Sequence, residues 1–298
     1  MRMFLVIGFF CLSSLPIFSQ TSPSLPSPGP QNRRIIHNND GSLTATVFTY
    51  GYTPLFDAVL TVNEEYGWNI NYEDAPTVNA SELVDNDAEF HRTHPGFHEE
   101  IQDGYVRKVQ PFRSSFIELD AHHADQESVL EQIVRDYNAS ENPGKFRLDR
   151  TKQGGYIVVG TRYKSESGSE VEYTPILNCS ISLDIPPSNL HDALGLVAEQ
   201  ANKTCSNNLH AELSAKFAAQ EPGPRTGGNV FGNFRQEAAR DVVDNLLGQE
   251  VGLMNYSVHY APGINKFYLV TWLAHRKIVG ADGNEILDPI LNSRVSNR

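Results

Sequence analysis

Apolar and polar positions along this chain alternate between two periods. Residues 54–67 read PLFDAVLTVNEEYG, in which Leu55, Val59, Val62 and Tyr66 fall on one face of a helix. Residues 189–202 read NLHDALGLVAEQAN, with Leu190, Leu194, Val197 and Ala201 forming the same stripe. Aligned without gaps, the segments share Leu55/Leu190, Asp57/Asp192, Ala58/Ala193, Val62/Val197 and Glu64/Glu199. Each helix follows a strand-like run, Leu43 to Tyr50 in the first case and Ile181 to Ile185 in the second. Pro186-Pro187 stops the second run. A return strand follows the first helix at Trp68 to Tyr72, and a weaker one follows the second near Asn208 to Ala211.

Each half then continues in the same order. Phe112 to Leu119 reads as a strand, and Val129, Leu130, Ile133, Val134 and Tyr137 make a helical stripe. Phe146-Arg147-Leu148 and Tyr156 to Val159 flank a turn at Gln153-Gly154-Gly155. In the second half Val230 to Phe234 is the strand, and Ala239, Val242, Val243 and Leu246 are the stripe. Tyr256 to Tyr260 and Phe267 to Trp272 flank a turn at Ala261-Pro262-Gly263. The pattern predicts an α+β protein of two repeated modules, each strand-helix-strand-strand-helix-hairpin, with small sheets packed on two helices.

The ends lie outside that pattern. Met1-Arg2-Met3 is a short positive start, and Phe4 to Leu12 is almost wholly apolar, too short to span a bilayer. Residues 1–19 are expected to be a signal peptide, cut near Ile17-Phe18-Ser19. Residues 20–40 follow as a tether rich in proline (Pro23, Pro26, Pro28, Pro30). The expected modules are 41–163 and 174–273, joined near the polar stretch Lys164 to Glu170, with a polar tail at 274–298.

The formal net charge of −12 argues against nucleic acid and against an anionic membrane surface as partners. Cys11 falls in the signal segment, which leaves Cys179 and Cys205. Cys179 precedes a strand and Cys205 follows the antiparallel helix, so the two sulfurs are expected to meet as a disulfide.

The phrase from Ser182 to Leu190, continuing HDALGLVAEQA, resembles the opening of the secretin/TonB short N-terminal domain. Ala238 to Leu247 and Met254 to Trp272 look like that family's second helix and hairpin, and the first half resembles a more divergent copy. The resemblance implies a periplasmic or secreted module that holds another envelope protein and has no catalytic residues or cofactor.

Other chemistry is sparse. The insert HRTHPGFHEE carries His91, His94 and His98 beside carboxylates, the candidate ligands of a metal-dependent hydrolase or metal-binding protein. Pro95-Gly96 breaks any helix that would align them, and a solvated loop is the competing reading. His122-His123 would point to opposite faces of a strand end. No G-x-S-x-G or H-E-x-x-H occurs, and EPGPRTGG lacks the lysine of a phosphate loop. Asn79, Asn138, Asn178 and Asn202 lie in N-x-S/T sequons. For partner binding, the strands through Tyr156 and Val158 and through Phe267 and Leu269 are the expected open edges, burial in a core being the alternative.

Overall fold

A computed structural model describes residues 33–38, 44–51, 53–76, 110–118, 125–165, 167–205, 211–217, 228–250, 253–261, 264–279 and 285–289. The signal segment, the His-rich insert and His122-His123 lie outside these residues, as do Pro262-Gly263 and nearly all of EPGPRTGG. Strands β1 (Arg33–His37) and β2 (Thr44–Gly51) lead into helix α1 (Pro54–Tyr66) and β3 (Ile70–Glu73). Strand β4 (Gln110–Ile117), helix α2 (Gln126–Ala139) and strands β5 (Lys145–Arg150), β6 (Tyr156–Lys164) and β7 (Glu170–Glu172) complete the first half. The second half runs β8 (Ser180–Ser188), α3 (Leu190–Thr204), β9 (Glu212–Phe217), β10 (Val230–Ala238), α4 (Ala239–Gly248), β11 (Leu253–Ala261), β12 (Lys266–Val279) and β13 (Glu285–Pro289). The fold is α+β, with four helices among the described residues.

Local chemistry explains the helix bounds. Pro54 sits in the first turn of α1, where its missing N–H would be unpaired anyway. Gly67 ends that helix in the left-handed region (φ 70°), donating to the Asn63 carbonyl at 2.9 Å. Asn189 caps α3 by accepting from the Asp192 N–H. The predicted stripes are buried: Leu55, Val59 and Val62 on α1, Val129, Leu130, Ile133 and Val134 on α2, and their counterparts on α3 and α4.

Each half places two helices between a small sheet and a large one. The small sheets are β1-β2-β4 and β8-β10, both antiparallel. The large sheet has eight strands and is shared by both halves, in the order β13-β12-β11-β3-β6-β5. Strand β7 joins β6, and β9 joins β12. Ile70, Tyr72, Phe146, Tyr156 and Val158 meet α1 and α2 on one face. Ile157, Val159, Tyr256, Val258, Phe267 and Leu269 meet α3 and α4 on the other. The central strands are therefore buried on both faces, which is why β3 and the first half of β6 lack exposed alternating positions.

Several boundaries differ from the sequence expectation. β1 pairs with β2 inside the stretch read as tether, beyond the last of its prolines. In the polar stretch expected to join the modules, Lys164 at the end of β6 pairs with Glu170 at the start of β7, and the Gly168 N–H donates to the Ser165 carbonyl at 2.8 Å. The hairpin strand β12 continues into the expected tail and pairs there with β13. Main-chain pairing needs no apolar side chains, so polar composition concealed these strands. Gly160 lets β6 pass close to the chain after β3, since a Cβ there would lie 2.4 Å from the Ala75 nitrogen.

Candidate functional site

The two halves meet where β3 and β11 pair in parallel, with Tyr72 opposite Ser257 and Glu73 opposite Val258. The Asp74 N–H donates to the Val258 carbonyl at 2.9 Å, extending the joint by one residue. Polar side chains are concentrated on both faces of this joint, and most of their contacts join residues far apart in sequence.

On the α1 face Asp74 is the hub. The Tyr72 hydroxyl donates to its Oδ1 at 2.7 Å, and the Tyr260 N–H reaches its Oδ2 at 3.4 Å. His259 Nδ1 lies 3.5 Å from Oδ2, while its ring meets Phe56 edge-on at 4.6 Å between centroids. Phe56 also meets Trp272 at 6.1 Å. Burial, and then the Asp74 charge, push the Tyr72 phenol well above its ordinary range. An aspartate holding a histidine is half of a nucleophile-activating triad, but Ser257 on the same strand has a buried Oγ without a hydrogen-bond partner. The cluster fixes the register of β3 against β11.

On the other face Asn71 bridges the halves. Its Oδ1 accepts from the Tyr256 N–H at 3.0 Å and its Nδ2 donates to Asp244 Oδ1 at 3.0 Å. Arg240, the second residue of α4, reaches Glu73 Oε1 at 3.1 Å and Asp149 Oδ2 at 3.6 Å. Arg240 is 8% exposed and Glu73 1%, so this is a buried ion pair, close but not aligned as a hydrogen bond. Burial pushes the Glu73 carboxyl above the usual range against the pull of Arg240. At the rim Lys152 meets Asp241 at 2.6 Å.

Burial, helped by the nearby Asp241 charge, pushes Asp244 up to about 7. A carboxyl raised above its unfolded value near 4 stabilises the fold at low pH, and that contribution is lost as pH rises through about 7. Stability is therefore expected to fall by a few kcal/mol from this group between about pH 4 and pH 7. In Asp244→Asn, which keeps an acceptor for Asn71, the slope over that window should flatten. Equal slopes from urea titrations of the two proteins would show that Asp244 does not titrate there.

The residues singled out from sequence divide into three groups. Cys179 and Cys205 stand at disulfide distance, with Cα atoms 5.8 Å apart. His91, His94 and His98 lie outside the described residues, among which no three His, Cys, Asp or Glu side chains group as metal ligands. Tyr156, Val158, Phe267 and Leu269 are core residues on interior strands: β6 lies between β5 and β3, and β12 between β11 and β9. Their continuous apolar runs mark strands covered on both faces, so these strands offer no edge. Two sequon residues also have structural work. Asn138 accepts from Phe146 N–H and donates to its carbonyl, and Asn202 does the same for Leu213.

The edges that are open among the described residues belong to other strands. β5 pairs only with β6, and β9 only with β12. Beside β5 lies an open groove of about 320 Å³ lined by Glu131, Val134, Arg135, Asn138 and Leu148. No family model, curated protein or solved structure matches the chain.

Proposed function

We propose that this is a non-catalytic, exported interaction protein of the cell envelope, built as two modules of one architecture and working by strand addition. The resemblance of its second half to secretin/TonB short N-terminal domains, its apolar N-terminal segment and the paired cysteines support that reading. No described helix is long and apolar enough to cross a membrane. The observation that carries the proposal is the joint itself. The first half already binds the second through an edge strand, β3 against β11, by main-chain pairing with polar side chains locking the register. The β5 edge, with the groove beside it, offers the same means to a partner.

Leu148 gives a test. It stands opposite Val158 in the β5–β6 hairpin as Val258 stands opposite Leu269 in the β11–β12 hairpin. The main chain of Val258 faces the neighbouring strand β3, so that of Leu148 faces the open edge. Leu148→Pro should remove one outward donor, spare the β5–β6 bonds and leave the circular dichroism spectrum intact. In-envelope crosslinking should recover the same partner repeatedly from the wild type, with at least a ~tenfold loss in the variant. An undiminished yield from the folded variant would overturn strand addition at β5.

A further inference from the structure

We infer that β8 is a second docking edge, one that takes an extended basic and apolar segment of a partner protein, laid antiparallel to it above α3. The site is separate from the β5 edge and goes beyond the reading given for that strand.

The two halves differ at this place. In the first, β2 carries β4 on one side and β1 on the other. In the second, β8 carries β10 on one side and, among the described residues, no strand on the other. Helices pack about 8–10 Å apart and strands about 4.8 Å apart, so a sheet three strands wide covers a helix pair. Two strands leave part of α3 uncovered.

Burial records the difference. On the core-facing row of its strand Val47 is 0% exposed, whereas Leu183 is half-buried. In the gapless alignment of α1 with α3, Asp57 and Thr61 are buried, while Asp192 is exposed and Leu196 half-buried. Gly195 stands where α1 has Leu60, and a Cβ there would meet nothing within 4 Å.

The open side of β8 is equipped for pairing. The Cys179 carbonyl accepts the Ala239 N–H, and alternation then turns the main chain of Ile181, Leu183 and Ile185 toward β10. The main chain of Ser180, Ser182 and Asp184 faces the open edge, with no bond there among the described residues. Pro186-Pro187 ends the row of donors, so the site spans Ser180 to Ile185.

The surroundings select the occupant. Two β8 strands paired about 4.8 Å apart would bring their α3 helices closer than the about 8–10 Å that helix packing needs. A second copy's β8 is therefore excluded, whereas a lone extended segment fits, as β1 does over α1. Its residue opposite Leu183 faces the core, as Ile35 does opposite Val47, and is apolar. Asp184, Asp192 and Glu199 stand exposed around the site against Arg235 and Lys203, in a chain of net charge −12. The flanks of the segment are therefore basic.

The probe is a fluorescent synthetic peptide, Asn-Arg-Arg-Ile-Ile-His-Asn, which copies residues 32–38 and has that composition. Added to the full chain, it should bind saturably by anisotropy. By NMR, amide exchange at Ser180, Ser182 and Asp184 should slow at least ~tenfold. Peptides carrying Ile35→Asp, or glutamate for both arginines, should bind at least ~tenfold more weakly. Ser182→Pro removes one outward donor, spares the β10 ladder and should abolish binding; if it does not fold, the wild-type exchange pattern decides. Leu148→Pro should leave peptide binding unchanged. Absence of binding, protection that maps to β2, or equal binding of the acidic peptide would overturn the inference. Protection at Leu148 and Arg150 instead would overturn β8 and leave strand addition at β5 standing.

Discussion

Replacing Arg240 with methionine is expected to lower the unfolding free energy by about 3–5 kcal/mol, the usual loss when one partner of a buried ion pair is removed. At roughly 2–4 °C per kcal/mol for a chain of this size, Tm should drop by about 6–20 °C. The guanidinium comes from the first turn of α4 and lies between two carboxylates of the other half, Glu73 and Asp149. Methionine fills similar space, so the loss measures charge more than packing. Without the arginine, Glu73 must stay buried as an uncompensated anion or take up a proton, and either outcome weakens the β3–β11 joint. The double variant Arg240→Met, Glu73→Gln should therefore recover more than half of the loss, because no charge is stranded. Urea midpoints of wild type, both single variants and the double variant form the cycle that checks it. A single variant within about 1 kcal/mol of wild type would show that the ion pair does not hold the halves together.

How far such a joint can be read from sequence depends on the range over which its parts act. The helices were legible because Leu55, Val59 and Val62, or Val129, Leu130, Ile133 and Val134, repeat at a period set by the helix itself. The apolar strands beside those helices were legible for a similarly local reason, whereas β1, β7 and β13 carry no such run. The joint was not, since Asn71 and Tyr256 are 185 residues apart and no periodicity links them. The run Tyr156 to Val159 shows how the misreading arises. Four consecutive buried residues fit an edge strand that pairs freely and an interior strand covered on both faces, and only the neighbours β3 and β5 decide. A usable signal was present in Ile70-Asn71-Tyr72-Glu73, where a polar residue and a carboxylate alternate with core residues and are themselves buried. Buried polar positions of this kind require partners, and here the partners lie on α4.

Removing the Cys179–Cys205 bridge should have the second large effect. Cys179 stands before β8 and Cys205 at the end of α3, so the bridge fastens the start of a strand to the end of the helix packed on it. With 26 residues of separation, loop-closure entropy sets its contribution at about 3.5 kcal/mol. Cys179→Ala/Cys205→Ala keeps small apolar groups against the half-buried surroundings and should melt about 7–14 °C lower than the oxidised protein. Dithiothreitol-treated wild type should melt with the double variant, and untreated protein should show no free thiol from this pair. Identical melting of oxidised and reduced protein would show that the bridge adds nothing. The Cys179 carbonyl also accepts the Ala239 N–H at 2.9 Å, which ties the bridge to the first turn of α4 beside Arg240. Loosening either feature loosens the same turn, so the losses should not add. Combining Arg240→Met with the double cysteine variant is expected to cost less than the sum of the two, by about 0.5–3 kcal/mol. Strict additivity would show that the bridge and the buried arginine act on separate parts of the fold.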